Sequence, residues 1–232
     1  MRAEPPRNPL LALLPPEELA SVASQLEECV LSPRKQLHDC QAANTHIYFV
    51  EQGLISLMAP TGGGEEVEVG LIGPEGCLGA QLALGVLAAP WRAVVRVEGK
   101  ALRMPAAQLK PLMNFNKSFA AILQRYLAAC FFETSQLAAC SSRHSISQRL
   151  ARWLLRYGDR LETRTIVCTH DYLSQALGVR RAGVTVSLGQ FECEGIIKQN
   201  RGSIEIANAQ KLADESCECR NFAKLNFVRL LG

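Results

Sequence analysis

The chain has 232 residues, of which 48% are hydrophobic and 20% are charged. This composition is typical of a globular protein and excludes a disordered or fibrous one, and the length suits one large domain or two modest ones. No stretch approaches the roughly 20 apolar residues that a membrane span needs, and the apolar run at 9–14 is cut short by two prolines. We therefore expect a cytoplasmic protein with reduced cysteines, without a membrane span or an export signal.

The net charge of +3 is unevenly distributed along the chain. Residues 1–140 contain 11 Lys and Arg against 13 Asp and Glu, whereas residues 141–232 contain 14 against 9, so the two parts carry −2 and +5. The basic C-terminal part favours a polyanionic partner, although a solvated basic face would have the same composition.

The N-terminal part begins with a helical pattern at 8–28 and then becomes rich in short β-type runs. Glycine and proline separate these runs, which indicates many short antiparallel strands in a barrel, roll or sandwich. The predicted strands are 47–50, 54–58, 67–72, 94–97 and 101–104.

The pattern changes to helical period over 106–140, where there is no glycine. About 30 residues of helix span roughly 45 Å, which is longer than a small β domain needs as cover. The apolar stripe is therefore predicted to pair with a second copy of the chain, with packing on its own β domain as the alternative. The predicted dimer interface consists of Phe115, Phe119, Ile122, Leu123, Tyr126, Cys130 and Leu137.

The C-terminal part predicts two short helices joined by a tight turn and followed by a hairpin. A helix at 145–157, ended by Gly158, precedes a strand at 165–168. Thr169 suits the cap of the next helix, Gly178 its end, and a second helix follows at 181–192. Strands at 196–198 and 204–206 flank a turn of Asn, Arg and Gly. This layout is typical of a winged helix-turn-helix, which places its second helix in the DNA major groove.

The outer face of the second helix is predicted to read base edges, with Arg181 donating two hydrogen bonds to a guanine. Side chains before it and in the wing suit phosphates, which position the protein without reading sequence. Gly183 within this helix costs about 1 kcal/mol relative to alanine, and we expect it to allow close approach to the DNA backbone. The predicted base-reading residues are Arg180, Arg181, Ala182, Thr185 and Gln190, and the predicted phosphate contacts are Thr169, Lys198 and Arg201.

Four features in this order resemble the cyclic-AMP receptor protein and fumarate–nitrate regulator (Crp/Fnr) family of transcription factors. They are the segments 47–53 and 70–79, the long helix, and the segment 173–181. The resemblance implies an α+β protein with a β-roll sensor domain at 1–105, a dimerisation helix at 106–140 and a winged helix-turn-helix at 141–232. It also implies a homodimer on a palindromic operator, an effector that sets DNA affinity, and RNA polymerase as a protein partner.

The cyclic-nucleotide cassette of that family is not matched. Cys77 stands where the ribose-binding glutamate would be, and Trp91 where the phosphate-binding arginine would be. Arg92 lies one place along the strand and so faces the opposite side. Cyclic AMP is therefore not expected, and the pocket either accepts a less charged ligand or is filled by side chains. The candidate pocket residues are Glu75, Gly76, Cys77, Leu78, Trp91 and Arg92.

The predicted second helix at 181–192 also differs from the pattern of that family. The branch typified by the cyclic-AMP receptor has Arg-Glu near the start of the reading helix and a further Arg one turn later. Here Arg181, Ala182 and Val186 hold those places. We therefore expect an operator different from the usual half-site. Its sequence, the effector and the direction of regulation do not follow from these residues.

No cofactor or metal site is predicted from the spacing of cysteines and histidines. Cys29 and Cys40 are too few and too far apart for the family's iron–sulfur cluster. The pair Cys217 and Cys219 needs a third thiol or a histidine to bind a metal or act as a redox switch, and the four histidines are scattered. With no nucleophile–base set, paired carboxylates or phosphate loop, an enzyme is not expected. The alternative function is a ligand-binding module that acts through protein contacts without DNA.

Overall fold

The computed structural model describes residues 6–231 and divides into two compact units. The first unit comprises the chain up to Pro60, Gly70–Phe131 and the last turn from Phe227, and the second comprises Thr61–Val69 and Phe132–Asn226. Within the long helical segment, the first unit ends at Phe131. Among the described residues, no helix is both long and apolar enough to cross a membrane.

The first unit begins with two short helices, α1 (Pro9–Ala12) and α2 (Pro16–Ala23). Asn8 caps α1 by accepting a hydrogen bond from the backbone N–H of Leu10 at 3.1 Å. Its side-chain amide also donates to the carbonyl oxygens of Val50 and Gly76 at 2.8 and 2.9 Å. One buried side chain therefore joins the start of the helical segment to two parts of the β domain.

The β domain contains a six-stranded sheet, as the β-roll prediction requires. Its strands are β1 (Glu27–Leu31), β2 (Gln36–His38), β3 (His46–Gly62), β4 (Glu65–Ile72), β5 (Cys77–Leu78) and β6 (Arg92–Pro105). The strand order is β1-β6-β3-β4, with β2 also paired to β6 and β5 to β3. A 3-10 helix at Ala80–Leu84 lies between β5 and β6. The pairings of β6 with β1, β2 and β3 are antiparallel.

The central strands β3 and β6 are longer than the sequence predicted, because each continues through a glycine expected to end it. Gly53 has a φ of +91°, and a Cβ placed on it would lie 2.6 Å from the Val97 carbonyl oxygen. A Cβ on Gly99 would lie 2.1 Å from the Gln52 carbonyl oxygen. The register of the β3–β6 pair shifts at this point. The two glycines thus form a bulge that bends both strands without ending them.

The expected single helix over 106–140 is two helices, α3 (Ala106–Phe115) and α4 (Lys117–Arg143). Asn116 separates them, and its side-chain amide donates to the Leu112 carbonyl oxygen at 2.8 Å. The Glu18 carboxylate accepts hydrogen bonds from the backbone N–H groups of Ser118 and Phe119 at 3.2 and 3.0 Å. A side chain distant in sequence therefore satisfies the first N–H groups of α4, which local periodicity could not reveal.

The second unit is built on α5 (Ile146–Leu161), which packs against α6 (His170–Leu177), α7 (Arg181–Cys193) and α8 (Ala209–Glu215). Ser145 and Gln148 form a capping box at the start of α5. The prediction that Gly158 ends this helix is wrong, because α5 continues to Leu161. A Cβ on Gly158 would lie 2.8 Å from the Thr163 carbonyl oxygen, so the glycine accommodates the returning chain.

Three short strands also belong to the second unit, as does the last helix up to Asn226. The strands are β7 (Thr165–Val167), β8 (Ile197–Asn200) and β9 (Ser203–Ile206), and they form an antiparallel sheet in the order β7-β9-β8. The last helix is α9 (Cys219–Leu231).

Candidate DNA-binding surface

The helix-turn-helix is formed by α6, a tight turn and α7. Thr169 caps α6 by accepting a hydrogen bond from the backbone N–H of Tyr172 at 3.1 Å. Gly178 ends α6 with a φ of +61°, in the left-handed region that favours glycine. Arg180 is the N-cap residue of α7, which starts at Arg181. The sequence placed all of these boundaries within one residue, because they depend on capping and turn residues next to each other in the chain.

Helix α7 has one buried face and one exposed face. Val184, Leu188 and Phe191 are buried in the second unit. Ser187 is buried too, and its hydroxyl lies 3.0 Å from the hydroxyl of Ser147 on α5. These contacts fix the rotation of α7 about its own axis, so the side chains on the other face point to solvent.

Every residue predicted to contact DNA is exposed in the second unit. Arg180, Arg181, Ala182 and Thr185 occupy the N-cap and first turns of α7, and Gln190 lies near its other end. Lys198 and Arg201 belong to the hairpin, and Thr169 caps α6. Val186 on the same face of α7 is also exposed, at 63%.

The hairpin predicted as the wing is formed by β8 and β9. Asn200 pairs with Ser203, so Arg201 and Gly202 are the two turn residues. Gly202 has a φ of +79°, which suits a tight hairpin turn. The turn leaves the Arg201 side chain exposed, while Ile204 and Ile206 on β9 are buried.

The Arg181 guanidinium is paired with an acidic side chain of α6. Its Nε lies 3.3 Å from Oδ1 of Asp171, and the two side chains are 65% and 68% exposed. An ion pair this exposed contributes at most about 1 kcal/mol, so Arg181 can exchange Asp171 for another acceptor at little cost.

His170 is a residue that the sequence analysis missed. Its Nδ1 lies 3.0 Å from Oγ1 of Thr185 on α7, and its Nε2 lies 3.1 Å from Oε1 of Gln199 on β8. The backbone N–H and the side-chain amide of Gln199 both donate to the Glu192 carboxylate, at 2.7 and 2.8 Å. His170 therefore connects α7 to the hairpin of β8 and β9. A histidine directly after the cap of α6 was the available sequence signal, but its partners lie 15 and 29 residues away.

A buried carboxylate holds α6 within the second unit. Trp153 Nε1 donates to Oε1 of Glu68 at 2.9 Å, and the Tyr172 hydroxyl donates to Oε2 of Glu68 at 2.8 Å. The rings of Trp153 and Tyr172 pack edge to face, with centroids 5.6 Å apart. These hydrogen bonds satisfy the carboxylate and fix Tyr172 in the first turn of α6.

The expected role of Gly183 is wrong. A Cβ on Gly183 would lie 2.7 Å from Cδ1 of Ile146 on α5. The glycine therefore faces the inside of the second unit, where it allows α7 to approach α5, and not the DNA backbone.

Comparison with known proteins supports the reading of both units. The model of the Crp-like helix-turn-helix domain matches residues 148–215, and the model of the cyclic nucleotide-binding domain matches residues 37–116. The two models follow each other in the order found here and together cover well over half of the chain. The chain belongs to the Crp/Fnr family of DNA-binding transcription regulators.

Solved structures show that this Crp/Fnr regulator shares its fold with distant members. FixK2 from Bradyrhizobium japonicum has a TM-score of 0.72 at 15% identity, over 83% of this chain and 98% of that one. A putative Crp/Fnr regulator from Eubacterium rectale has a TM-score of 0.68 at 19% identity, over 89% and 96%. The c-di-GMP-responsive regulator CLP of Xanthomonas campestris has a TM-score of 0.68 at 14% identity, over 82% and 98%. No curated protein sequence is a significant match.

In the β domain of this Crp/Fnr regulator, the predicted effector pocket is closely packed around Gly76. A Cβ on Gly76 would lie 2.4 Å from the Tyr126 hydroxyl oxygen, and this hydroxyl hydrogen-bonds the backbone of Cys77. Cys77 is 2% exposed, and its burial raises the pKa of the thiol well above the ordinary value. The residue at the ribose-binding position is thus a neutral thiol, covered by a tyrosine of α4.

The other predicted pocket residues differ in burial. Leu78 is buried with Cys77 on β5, whereas Glu75, Trp91 and Arg92 are half-buried. Arg92 begins β6 and is paired in register with Met58 on β3. The next residue of the same strand, Ala93, is fully buried.

The predicted dimer interface requires a correction. Phe119, Ile122, Leu123 and Tyr126 are at most 5% exposed and belong to the core of the first unit, with Phe49 among their neighbours. Cys130 and Leu137 are half-buried, and Phe115 at the end of α3 is 87% exposed. Phe119, Ile122, Leu123 and Tyr126 therefore pack within the first unit, which was the alternative interpretation. Phe115, Cys130 and Leu137 stay predictions for the interface.

Proposed function

We propose that this Crp/Fnr regulator binds a palindromic operator as a homodimer, with the outer face of α7 reading base edges in the major groove. The observation that carries the proposal is the contrast between the two faces of α7. Val184 and Leu188 are fully buried, whereas Arg181, Ala182 and Thr185 are exposed side by side. A helix with this division presents a fixed set of side chains to a groove about 12 Å wide.

Arg181 is proposed as the principal base-reading residue. Its planar guanidinium can donate two hydrogen bonds to O6 and N7 of a guanine, which is the commonest specific contact in such complexes. The exposed ion pair with Asp171 is weak, so Arg181 can leave it for a base at little cost. Ala182 and Val186 offer only apolar contact, as to a thymine methyl group, so the operator is proposed to differ from half-sites read by a glutamate and a second arginine.

The wing and the cap of α6 are proposed to contact phosphates. Lys198 and Arg201 are exposed on the hairpin, and Thr169 is exposed at the start of α6. Each cation that neutralises a phosphate releases counterions, so affinity falls steeply as salt rises. A partner that binds mainly through apolar protein contacts does not show this dependence. Measuring affinity at increasing salt concentrations therefore separates DNA binding from the alternative of a regulatory module that contacts protein.

Dimerisation is proposed to use the face of α4 opposite to the predicted stripe. Ala121, Ala128 and Phe131 recur on that face at helical spacing, and Phe131 is 69% exposed in the single chain. The adjacent Phe132 is 42% exposed, and contiguous exposed apolar side chains of this kind mark surfaces that a partner covers. Two copies paired along α4 would present two α7 helices to a two-fold symmetric operator.

The effector is proposed not to be cyclic AMP. The neutral Cys77 thiol supplies no carboxylate for a ribose, the Tyr126 hydroxyl occupies the space over Gly76, and the indole of Trp91 cannot neutralise a phosphate. An effector of the β domain would be less charged and would have to displace Tyr126. RNA polymerase is proposed as the protein partner on the family resemblance alone.

The test uses DNA fragments selected from the host genome by the full-length protein, with affinities measured by fluorescence anisotropy over a salt series. Arg181→Ala is expected to lower the affinity for the selected operator by about 1–3 kcal/mol and to relax its specificity. Lys211→Ala is the matched control, because Lys211 lies on α8 beside Glu194, Asp214 and Glu215, and it should bind as the parent does.

If the Arg181→Ala protein bound the operator as tightly as the parent does, Arg181 would not be a base-reading residue. If no duplex bound with salt-sensitive affinity, the proposal itself would fail.

A further inference from the structure

Four metal-ligating side chains meet at one point of the second unit. Cys140 and His144 lie at the end of α4, and Cys217 and Cys219 lie at the start of α9. Their ligand atoms, three Sγ and one imidazole nitrogen, all lie within 4.8 Å of one another. The sequence analysis saw only the pair at 217 and 219, because the other two residues are more than 70 positions away.

The spacing of the ligand atoms suits one tetrahedral ion. The Sγ atoms of Cys140 and Cys217 are 3.4 Å apart, and Nδ1 of His144 is 3.6 Å from Sγ of Cys219. Around a zinc ion with Zn–S bonds of about 2.3 Å, tetrahedral geometry places two sulfurs about 3.8 Å apart. All four ligand atoms lie within 4.8 Å of one another, at most about 1 Å more than such a tetrahedral pair, so small side-chain rotations would bring them onto one ion. The space is too small for an iron–sulfur cluster.

The local structure places each ligand from a rigid element. Cys140 and His144 are one helical turn apart, and the backbone N–H of His144 donates to the Cys140 carbonyl oxygen at 3.0 Å. Cys217 and Cys219 are each 2% exposed, as buried as Cys140 is at 0%. The three cysteines form a small cluster of their own, apart from the two large apolar clusters of the β domain.

The surroundings supply the outer contacts that metal sites use. Nε2 of His144 faces Oε1 of Glu218 at 3.9 Å, so an imidazole that coordinates through Nδ1 has a carboxylate beside its other nitrogen. Such carboxylate–histidine–metal arrangements orient the ring and raise its basicity. The side-chain amide of Gln136 donates to Sγ of Cys219 at 3.0 Å, and N–H donors of this kind stabilise a thiolate.

A buried arginine beside the cluster provides the counter-charge. Arg152 is 3% exposed, and within the described residues its Nε has no hydrogen-bond partner. Its guanidinium lies close enough to interact electrostatically with both Cys140 and Cys217. Burying a cation is costly unless an opposite charge lies nearby. Arg149 also interacts electrostatically with Cys140 and Cys217. A divalent ion with three thiolates and a neutral imidazole carries one negative charge in total, which both arginines would attract.

We propose that Cys140, His144, Cys217 and Cys219 bind one Zn²⁺ ion that joins the end of α4 to the start of α9. Thiolate and imidazole ligands in a tetrahedral set select zinc over the harder Mg²⁺ and Ca²⁺. The protein supplies all four ligands and leaves no open position, as in structural zinc sites. The ion is held directly before the Ser145 cap of α5, the helix against which α6 and α7 pack.

The test measures metal content of the full-length protein, purified under reducing conditions, by plasma mass spectrometry. We expect one zinc per chain in the parent and in Cys193→Ser, which removes an exposed cysteine outside the cluster. Cys140→Ser and Cys217→Ser should lose the zinc. His144→Gln is the milder variant if those proteins do not fold, and it should release zinc to a chromogenic chelator at least tenfold more readily.

A second measurement uses the parent protein only. After zinc is removed with a chelator under reducing conditions, added Co²⁺ should give the sulfur-to-cobalt charge-transfer band and the intense visible bands of a tetrahedral thiolate site. The proposal would be overturned by a protein that takes up neither zinc nor cobalt, by iron with sulfide in the isolated protein, or by a Cys140–Cys217 disulfide whose reduction restores no metal binding. Zinc retained in full by Cys217→Ser would overturn it as well.

Discussion

Nδ1 of His170 lies 3.0 Å from Oγ1 of Thr185, and this contact joins the start of α6 to the exposed face of α7. Nε2 of the same ring faces Oε1 of Gln199 on β8 at 3.1 Å. Thr185 also donates to the Arg181 carbonyl oxygen at 3.2 Å. One imidazole thus fixes the spacing between the two elements proposed to contact DNA.

His170→Ala is therefore expected to weaken operator binding about tenfold, which corresponds to about 1.4 kcal/mol, because α7 and the wing lose their common partner. The melting temperature should change little, since the ring is only half-buried and the Val184, Leu188 and Phe191 packing remains. Anisotropy titrations and thermal unfolding measure the two effects. Gln175→Ala, an exposed position on the same helix, is the control. An unchanged affinity with a large loss of stability would assign His170 a purely structural role.

Asp171→Asn is expected to raise DNA affinity by up to about fivefold, or about 1 kcal/mol. The change frees the Arg181 guanidinium from its exposed partner and removes a negative charge beside the proposed phosphate contacts. The gain should be largest at low salt and shrink as salt rises. Asp214→Asn, on α8, should leave affinity unchanged. Weaker binding of the Asp171→Asn protein would show that the carboxylate is needed to orient Arg181 in the complex.

Substitution by alanine at Gly99 and at Gly183 should change the free energy of unfolding by different amounts. In Gly99→Ala the new methyl group meets the Gln52 backbone carbonyl, which cannot move without breaking the β3–β6 bulge, so we expect a loss of about 3 kcal/mol in the free energy of unfolding. In Gly183→Ala the methyl group meets the flexible end of Ile146. The gain in helix propensity of about 1 kcal/mol offsets the shift of that side chain, so little net change is expected. Urea unfolding of both variants measures the two free energies of unfolding. Equal losses of stability in the two variants would contradict the prediction.

Glu18 should contribute stability that depends on pH. Desolvation raises the pKa of this carboxyl, but the hydrogen bonds from Phe119 and Ser118 lower it by more, so the pKa lies below its ordinary value. The contribution is therefore fully present above the unfolded carboxyl pKa of about 4.3 and is lost as pH falls through the folded pKa. Relative to Glu18→Gln, the parent should be more stable at neutral pH and lose that advantage in acid. Glu17→Gln, an exposed neighbour in the same turn, should track the parent throughout.

The helix-turn-helix could be predicted almost to the residue, because its determinants are local. Thr169, Gly178 and Gly202 set a cap, a helix end and a hairpin turn through contacts within a few residues of chain. The exposed reading face followed from helical spacing once those boundaries were known. The β domain was predicted as a class, but Gly53 was expected to end a strand that in fact continues through it.

Tertiary structure alone decided which neighbour each face meets. The stripe containing Phe119 and Ile122 could cover either the chain's own β domain or a second copy, since periodicity shows that a face is apolar and not what covers it. Likewise, helical periodicity does not show that Gly183 faces Ile146, and only the folded structure does. Cys140 and Cys217 are 77 residues apart, and their thiols come within 3.4 Å only through the path of the chain. Local propensity carries no information about such distant pairs, whereas burial and packing in the folded chain determine them.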